Sequence, residues 1–342
     1  MTAAVLDRHG RSIRDLRISV IDRCNFRCPY CMPKETYGDD YQFLPSTDYL
    51  SFAEIARVTR LAACLGVTKV RLTGGEPLLR ARLEELVAEL AEIDTITDLA
   101  LTTNGFLLAE HAQALRQAGL HRVTVSLDSV DPAVFAEMNG LGIPIDRIRA
   151  GIDAALQVGL APVKVNAVIQ RGVNEHTAVD LVRYFHGRGV VVRFIEYMDV
   201  GNRNQWDNQL VVPSAELVKR ISAEFPLEPM AAAYRGEVAE RYRLVDGGGE
   251  VGFISSISQP FCGSCTRARL STDGKVYTCL FSGTGTDLRA SLREGASNAQ
   301  MLDLLNHIWS KREDRYSEER SQVAAFAARR QAKKVEMYQI GG

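Results

Sequence analysis

Six of the seven cysteines in this sequence fall into two groups of three, and both groups could ligate metal. The first group is Cys24, Cys28 and Cys31, and the second is Cys262, Cys265 and Cys279. Zinc sites and iron–sulfur clusters normally take four ligands, so each group is one thiolate short. Three thiolates on a cubane would leave one iron open to an exogenous ligand, whereas a structural zinc would need a fourth ligand from elsewhere in the chain. Both alternatives stay open on spacing alone.

The two groups differ in how specific their spacing is. In a chain of 342 residues, three cysteines at the first spacing are expected about 0.003 times by chance, and a lone CxxC about 0.14 times. The second group gains weight from its neighbours, which are Phe261 on one side and Arg267 and Arg269 on the other. These arginines are two positions apart, so on a strand they would share one face. The seventh cysteine, Cys64, is predicted to pack on the apolar face of a helix.

The composition indicates a large globular protein without an overall charge. Of 342 residues, 46% are hydrophobic and 24% charged, which is enough apolar surface for a sizeable core. The 41 Lys and Arg against 42 Asp and Glu give a net charge of −1, so no global field would attract nucleic acid or an anionic membrane. No stretch reaches the roughly 18 apolar residues of a spanning helix, and the cysteine usage does not suggest disulfides. We expect a cytoplasmic protein with no nucleic-acid or membrane partner.

Short β-rich runs and amphipathic helical patterns alternate about six times in the first part of the chain. The predicted strands are 17–21, 70–73, 99–103, 122–127, 163–169 and 190–197, and the predicted helices are 52–65, 83–93, 109–118 and 148–158. A full barrel has eight such units in about 250 residues. We therefore predict an α/β fold built on a partial (βα)6 TIM-type barrel of parallel strands. The chemistry of such barrels lies at the carboxyl ends of the strands, and the first cysteine group follows the first predicted strand.

After residue 201 the pattern changes to two hairpins, predicted at 242–257 and 268–280, followed by a helix at 302–308. We predict a smaller mixed α+β segment that covers the open side of the barrel. The chain is thus divided into a barrel domain, residues 1–200, and a C-terminal segment, residues 201–342, with one cysteine group in each. The highly charged stretch 311–334 is expected to form a solvated helix.

The first cysteine group, in the run CNFRCPYC, resembles the CxxxCxYC loop of the radical S-adenosylmethionine enzymes. The resemblance extends to the Gly-Gly-Glu-Pro run at residues 74–77. It implies a 4Fe–4S cluster whose open iron is chelated by the amino and carboxylate groups of S-adenosylmethionine. Reduction then yields methionine and a 5′-deoxyadenosyl radical, which abstracts hydrogen from the substrate. On the residues alone, the glycines would let the backbone approach a ligand, and the Glu76 carboxylate could accept from an ammonium group.

Both cysteine groups together with the Gly-Gly-Glu-Pro run and a Gly-Gly terminus resemble the GTP 3′,8-cyclase family of molybdenum cofactor biosynthesis. The match runs from about residue 14 to residue 342. It implies a second 4Fe–4S cluster on Cys262, Cys265 and Cys279, with an open iron that ligates the guanine of GTP. The radical would take hydrogen from the ribose 3′ carbon, which attacks carbon 8 of guanine. The implied product is 3′,8-cyclo-7,8-dihydro-GTP, in the first step of molybdopterin synthesis.

The resemblance carries over residue by residue to two ligands. The residues expected at S-adenosylmethionine are Tyr30, Gly75, Glu76, Ser126 and Met198. The residues expected at GTP are Arg17, Lys69, Arg71, Thr102, Lys164, Arg193, Arg267, Arg269, Gly341 and Gly342, and those expected in catalysis are Cys24, Cys28, Cys31, Arg17, Arg267 and Arg269. The basic members lie on or beside predicted strands, where a buried charge is costly unless it is paired, and a triphosphate carries roughly three to four negative charges. Any one of them could instead be a solvent-facing charge or part of an ion pair.

The family resemblance also implies partners. They are GTP, an external electron donor, a second copy of the chain in a homodimer, and cyclic pyranopterin monophosphate synthase as the enzyme that consumes the product. Two departures from the family pattern, Ile21 and Thr266, are neighbours of ligands. Two alternatives remain, a radical enzyme with an auxiliary cluster that modifies a peptide, and a non-catalytic iron–sulfur or zinc protein. The former usually carries more cysteines, and the latter would have no use for two incomplete groups.

Overall fold

A continuous sheet forms the centre of the protein, which we describe from a computed structural model over residues 5–320 and 334–341. Its strands in this part of the chain are β1 Asp15–Ser19, β2 Lys69–Thr73, β3 Asp98–Thr103, β4 Arg122–Ser126, β5 Val163–Ile169, β6 Val190–Glu196, β7 Leu227–Met230, β8 Glu240–Leu244, β9 Glu250–Ile254, β10 Arg267–Leu270, β11 Lys275–Tyr277 and β12 Thr286–Asp287. β1 to β6 pair in chain order and are all parallel. The prediction of an α/β fold with a partial barrel is therefore confirmed.

Helices alternate with the parallel strands. In the described residues they are α1 Phe52–Cys64, α2 Leu83–Ala91, α3 Leu108–Gln117, α4 Pro132–Met138, α5 Asp146–Gln157, α6 Ala178–Phe185, α7 Ser214–Ser222, α8 Arg289–Arg293, α9 Asn298–Ser310, α10 Tyr316–Glu319 and α11 Met337–Ile340. α1 begins at a capping box in which Ser51 and Glu54 each accept from the other's backbone N–H. Over the same ranges, no helix is long and apolar enough to cross a membrane.

The C-terminal segment extends the barrel sheet at both edges. β10 pairs in parallel with β1, and β9 pairs in parallel with β6. Beyond them, β11 and β12 continue one edge and β8 and β7 the other, all antiparallel. The hairpin strands therefore belong to the same sheet as the barrel and supply hydrogen bonds that the edges of β1 and β6 would otherwise lack.

The core lies between the sheet and the helices. Strand residues such as Ile18, Val70, Leu101, Val125 and Val165 are 0% exposed within one apolar cluster that includes the buried faces of α1, α2, α3 and α5. Along β5 and β6 buried residues alternate with partly buried ones. Because successive strand residues point to opposite faces, the partly buried set faces the interior of the barrel.

Several elements differ from the predictions, and three of them have a clear physical reason. β1 begins and ends two residues earlier than predicted, because its parallel pairing with β2 and β10 starts at Asp15. A short helix, α4, follows the fourth strand where a connection broken by Pro132 is predicted; Asp131 caps this helix, and proline suits its first turn. The sequence does not predict β7, because this four-residue edge strand contains Pro229 and is largely exposed. In addition, Cys64, predicted to pack on the apolar face of a helix, is exposed at the end of α1.

The charged stretch 311–334 is not the predicted solvated helix where the structure describes it. Between residues 311 and 320 only α10 is α-helical, and residues 321–333 lie outside the described residues. Arg312 and Lys334 are only 4% and 6% exposed. Each is buried because it reaches a buried carboxylate, at 3.6 Å from Asp7 and 3.1 Å from Asp199, respectively.

Candidate active site

The first cysteine group lies on the loop after β1, at the carboxyl end of the barrel strands. The Cys31 amide donates to the Cys28 carbonyl at 3.0 Å and closes a turn between these two residues. The Arg27 guanidinium donates to the Cys24 carbonyl at 2.7 Å and to the Tyr37 carbonyl at 2.6 Å. Arg27, which the sequence does not single out, therefore shapes the loop between the first two cysteines.

The donor set of this group suits an iron–sulfur cluster. Burial raises the pKa of Cys24 to about 12, and it also raises the pKa of Cys28 and of Cys31. Buried thiols of this kind ionise when a metal supplies the compensating positive charge. Within the described part of the chain, no group of three or more His, Cys, Asp or Glu side chains forms a ready-made site for a metal ion. The first cysteine group thus offers the thiol donors of a cluster at the end of a strand, without preformed coordination geometry.

The Gly-Gly-Glu-Pro run follows β2 and lies against the segment before the first cysteine group. The Glu76 amide donates to the Arg23 carbonyl at 2.8 Å, and a Cβ at Gly75 would overlap that carbonyl. The Glu76 carboxylate is 0% exposed and accepts from the Thr103 hydroxyl and the Asn104 amide, each at 2.7 Å. Burial raises its pKa to about 7. Glu76 thus ties this loop to the end of β3, and we propose that it acts on the cofactor through the loop.

The remaining residues expected at S-adenosylmethionine lie on the loop of the first cysteine group or at strand ends. Ser126 ends β4, and Met198 follows β6 and lines the barrel cavity. The Tyr30 hydroxyl donates to Asp128 at 2.8 Å, and the other oxygen of Asp128 accepts from the Val168 amide at 2.8 Å. Burial raises the pKa of Asp128 to about 6. Asp128 is missed by the sequence reasoning, although it stands two positions after Ser126.

The β10–β11 hairpin brings the second cysteine group together. Cys262 opens a short 3-10 turn, Cys265 lies two residues before β10, and Cys279 lies two residues after β11. The strands are antiparallel, with Arg269 opposite Tyr277, so Cys279 returns to the start of the hairpin. All three cysteines line one cavity in the barrel.

Cys265 has a charge environment unlike that of Cys279. The guanidinium groups of Arg267 and Arg312 lie 3.4 and 3.2 Å from the Cys265 sulfur. Although burial opposes ionisation, these two charges lower the pKa of Cys265 to about 6. Burial instead raises the pKa of Cys279 to about 12. Arg312 is a further residue that the sequence does not single out, since it stands in a stretch that reads as solvated.

Most of the predicted GTP-binding cations line the same cavity as the second cysteine group. They are Arg17, Lys69, Arg71, Arg193, Arg267 and Arg269, with Thr102 beside them. Strand register places Arg17 level with Arg71 on β2 and with Arg269 on β10. Lys164 is not among the lining residues, but it stands two positions before Asn166, which lines the cavity from the same face of β5.

The clustered guanidinium groups lower one another's pKa values. Burial and then Arg269 lower the pKa of Arg17, while burial and then Arg267 lower the pKa of Arg269 to about 9. Burial and then Arg71 lower the pKa of Arg193 to about 9. The Nε of Arg193 is buried with no hydrogen-bond partner among the described residues. So many buried, mutually repelling cations indicate a site for a polyanion.

Lys69 differs from the other predicted GTP-binding cations that line the cavity, because it lies in ion pairs. Its ammonium group lies 3.4 Å from Asp15 and 3.6 Å from Asp98, and it donates to the Tyr234 hydroxyl at 2.8 Å. The ion-pair alternative therefore describes Lys69 in this structure. Tyr234 also lines the cavity and is not singled out by the sequence.

The C-terminal tail, residues 334–341, connects the surroundings of both cysteine groups. Tyr338 packs in a small cluster beside the first group. The Arg269 guanidinium donates to the carbonyl of Gly341, so the tail reaches a residue that lines the cavity. Gly342 lies outside the described residues.

Comparisons with known proteins agree over the whole chain. The Radical SAM superfamily matches residues 18–185, and Molybdenum Cofactor Synthesis C matches residues 190–318. A curated "GTP 3′,8-cyclase" of Xanthomonas axonopodis pv. citri is 53% identical, one of Acidothermus cellulolyticus is 50% identical and one of Staphylococcus aureus is 48% identical. Each of these three comparisons covers 100% of both chains.

Solved structures similar in fold include the SuiB protein of Streptococcus suis. Its complex with S-adenosylmethionine has a TM-score of 0.61 at 16% identity, over 89% of this chain and 69% of that chain. Its complex with the precursor peptide SuiA has a TM-score of 0.59 at 15% identity, over 95% of this chain and 68% of that chain. At these identities the likeness shows the fold alone.

Proposed function

The chain belongs to the GTP 3′,8-cyclase family, and from this membership we propose that its barrel cavity holds GTP while the ribose 3′ carbon joins carbon 8 of guanine. The protein is a radical S-adenosylmethionine enzyme of the first step of molybdenum cofactor biosynthesis. It uses S-adenosylmethionine and an iron–sulfur cluster. We further propose a second 4Fe–4S cluster and the product 3′,8-cyclo-7,8-dihydro-GTP.

Cys24, Cys28 and Cys31 would hold the first cluster, beside a cofactor site formed by Tyr30, Gly75, Ser126 and Met198. When bound, this cluster and S-adenosylmethionine supply the 5′-deoxyadenosyl radical that takes hydrogen from the ribose. The chain's own part is to orient the cofactor. Asp128 accepts a hydrogen bond from the Tyr30 hydroxyl and so fixes the position of the tyrosine ring.

One observation carries the substrate assignment, namely that the buried cations and the second cysteine group share one cavity. The triphosphate would accept charge-assisted hydrogen bonds from Arg17, Arg71 and Arg269, each contributing about 1.5 to 3 kcal/mol. Cys262, Cys265 and Cys279 would hold a cluster with an open iron at the guanine end. A site with cations for the triphosphate at one end and an iron that binds the guanine base at the other would fix both reacting carbons of GTP.

The two parts of the chain have different proposed roles. We propose that residues 1–200 carry the radical chemistry and residues 201–342 carry the second cluster and part of the GTP site, with Gly341 and Gly342 completing it. An external electron donor would reduce the first cluster. A homodimer and a hand-off to cyclic pyranopterin monophosphate synthase are further parts of the proposal that family membership supports.

Two cysteine variants test this assignment in anaerobic assays with dithionite, S-adenosylmethionine and GTP. The unmodified chain should bind about eight irons after reconstitution, and each variant should bind about four. Cys28→Ala should abolish formation of 5′-deoxyadenosine. Cys265→Ala should retain cofactor cleavage but lose the cyclised nucleotide.

Other results would overturn parts of the proposal. Cyclised product from Cys265→Ala would remove the second cluster from the reaction. Tightly bound zinc in place of iron would indicate a non-catalytic protein. Cleavage of S-adenosylmethionine that proceeds with a peptide and not with GTP would favour the peptide-modifying alternative, for which the low-identity likeness to SuiB gives no support beyond fold.

A further inference from the structure

Arg312 makes direct contact with the second cysteine group from a part of the chain that reads as surface. It follows α9 and is 4% exposed. One nitrogen, Nη1, donates to the Cys265 carbonyl at 2.7 Å, and Nη2 donates to the Cys265 sulfur at 3.2 Å. The guanidinium also lies over the Trp309 ring, 4.6 Å from its centroid. The hydrogen bonds to Cys265 and the contact with the Trp309 ring therefore fix the position of the guanidinium group.

A buried carboxylate near the start of the chain orients this arginine together with a second one. Asp7 lies 3.6 Å from Arg312 and 2.6 Å from the Nε of Arg11, and the side chains of the three are 0%, 2% and 1% exposed, respectively. The Asp7 carboxylate also accepts from the Arg11 amide at 2.9 Å. Three charges at this depth are costly to desolvate, so the arrangement calls for a reason beyond stability.

The second arginine contacts the other cysteine of the CxxC. Arg11 Nη1 donates to the Cys262 carbonyl at 2.7 Å and to the Asp314 carbonyl at 2.9 Å. Asp7 thus sits between two guanidinium groups, each of which bonds one cysteine of the pair. The network fixes the backbone of the CxxC turn and aims one positive charge at a ligand sulfur.

Cys24 of the first group and Cys265 of the second differ in the donors that face their sulfur atoms. The donors to the Cys24 sulfur are the neutral Phe26 amide at 3.4 Å and the neutral Asn104 side chain at 3.8 Å. The Cys265 sulfur instead faces the cationic donors Arg312 and Arg267. Hydrogen bonds and positive charge at a cluster's sulfur stabilise its reduced, more negative state and so raise its reduction potential.

We propose that Arg312 is a positioning residue that makes the second cluster easier to reduce and holds the CxxC turn, with Asp7 and Arg11 as its supports. The inference rests on the proposed function, since it assumes a 4Fe–4S cluster on Cys262, Cys265 and Cys279. The redox step concerned is the uptake of one electron by that cluster from an external reductant.

The test isolates the second cluster in the full chain. With Cys24, Cys28 and Cys31 all replaced by Ala, the only remaining group of three cysteines is the second one, and its midpoint potential is measured by electron paramagnetic resonance during a reductive titration. At the parent midpoint potential, Arg312→Gln should lower the ratio of reduced to oxidised cluster at least tenfold, which is a shift of about 59 mV for one electron. Arg312→Lys, which keeps the charge, should show a smaller shift.

A matched control is Arg8, whose amide donates to the Arg312 carbonyl at 3.2 Å while its side chain lies at the surface. Arg8→Gln removes the same charge from an exposed pair with Glu313, whose side chains are 56% and 69% exposed, and should leave midpoint and spectrum unchanged. An Arg312→Gln midpoint equal to that of the parent would overturn the inference. Should that variant fail to hold iron, Arg312→Lys is measured instead; a downward shift smaller than tenfold supports the inference, and a midpoint equal to that of the parent rejects it. A parent protein without iron would refute the second cluster itself, which is a failure of the proposed function.

Discussion

At the scale of single residues, the site is built from basic groups that burial makes easier to deprotonate. Lys164 shows this most usefully, because its pKa falls into a range that experiments reach. Burial, and then the charges of Arg193 and Arg122, lower the pKa of Lys164 to about 8. A bound triphosphate favours the charged ammonium, so GTP should draw a proton onto Lys164 above this pH.

GTP affinity should therefore fall as the pH rises through about 8. The contribution of Lys164 to the free energy of unfolding should instead rise with pH. The folded pKa lies below the ordinary 10.5, so the folded state binds fewer protons than the unfolded state between about 8 and 10.5, and this lysine's contribution to stability rises with pH across that window. Calorimetric titration with GTP in two buffers of different ionisation enthalpy measures the proton uptake.

Lys164→Gln should abolish that proton uptake and weaken GTP binding by about 1.5 to 3 kcal/mol, which is at least tenfold in Kd. Lys219→Gln, at an exposed position on α7, is the matched control and should change neither quantity. Proton uptake that persists in Lys164→Gln would show that another group titrates.

At the scale of elements, the tail is held by a buried ion network after β6. The Asp199 carboxylate accepts from the Tyr316 hydroxyl at 2.5 Å, from Arg320 at 2.8 Å and from the Lys334 ammonium at 3.1 Å. Although burial opposes it, Arg320 and Lys334 keep the pKa of Asp199 below its usual value. This network joins the end of β6, next to Met198, to the start of the tail.

Lys334→Met should release the tail while leaving Asp199 paired with Arg320. Breaking one partner out of a buried pair costs roughly 3 kcal/mol, so amide exchange in α11 should speed up roughly a hundredfold. Cyclised nucleotide should fall relative to 5′-deoxyadenosine, because the tail no longer reaches Arg269. Lys311→Met, at an exposed position, serves as control. Unchanged exchange in Lys334→Met would mean that the other contacts of the tail, such as the hydrogen bond from the Asn202 amide to Glu336 and the aromatic cluster around Tyr338, suffice to hold it.

At the scale of the whole molecule, the two halves of the chain share one sheet. β9 and β10 pair in parallel with β6 and β1, so the C-terminal half completes both edges of the barrel. The buried Glu196 carboxylate adds a link, accepting from the amides of Ser214, Ile257 and Ser258, each at 2.8 Å. We therefore expect the two halves to fold as one unit, and the division of roles at residue 200 stays a proposal about chemistry.

A chain ending at residue 200 should fail to unfold cooperatively, because it leaves both parallel edges unpaired and Glu196 without its donors. A chain ending at Arg320 keeps these contacts and should unfold in one transition, like the full chain. Urea unfolding followed by circular dichroism compares the three. A sharp transition in the short chain would show that the barrel is an independent folding unit.

Most of the helices and strands that the sequence predicts follow from local patterns of apolar and polar residues. β5 is predictable at both ends because the seven residues of Val163–Ile169 form one β-rich run, and α1 because an amphipathic pattern extends over Phe52–Cys64. α4 and β7 are short and contain proline, so the local sequence pattern does not predict them.

The amino-acid sequence by itself determined the chemistry that depends on near neighbours, namely two cysteine groups, a glycine loop and strands that carry cations. Only the tertiary structure decided which charges are buried and what they contact. By local sequence, Arg312 and Lys334 resemble surface residues. In the fold, Arg312 lies beside Asp7, about 300 positions earlier in the chain, and Lys334 lies beside Asp199. The physical reason is that a charge can be buried only where the fold brings a distant partner to it, and no local pattern encodes that meeting.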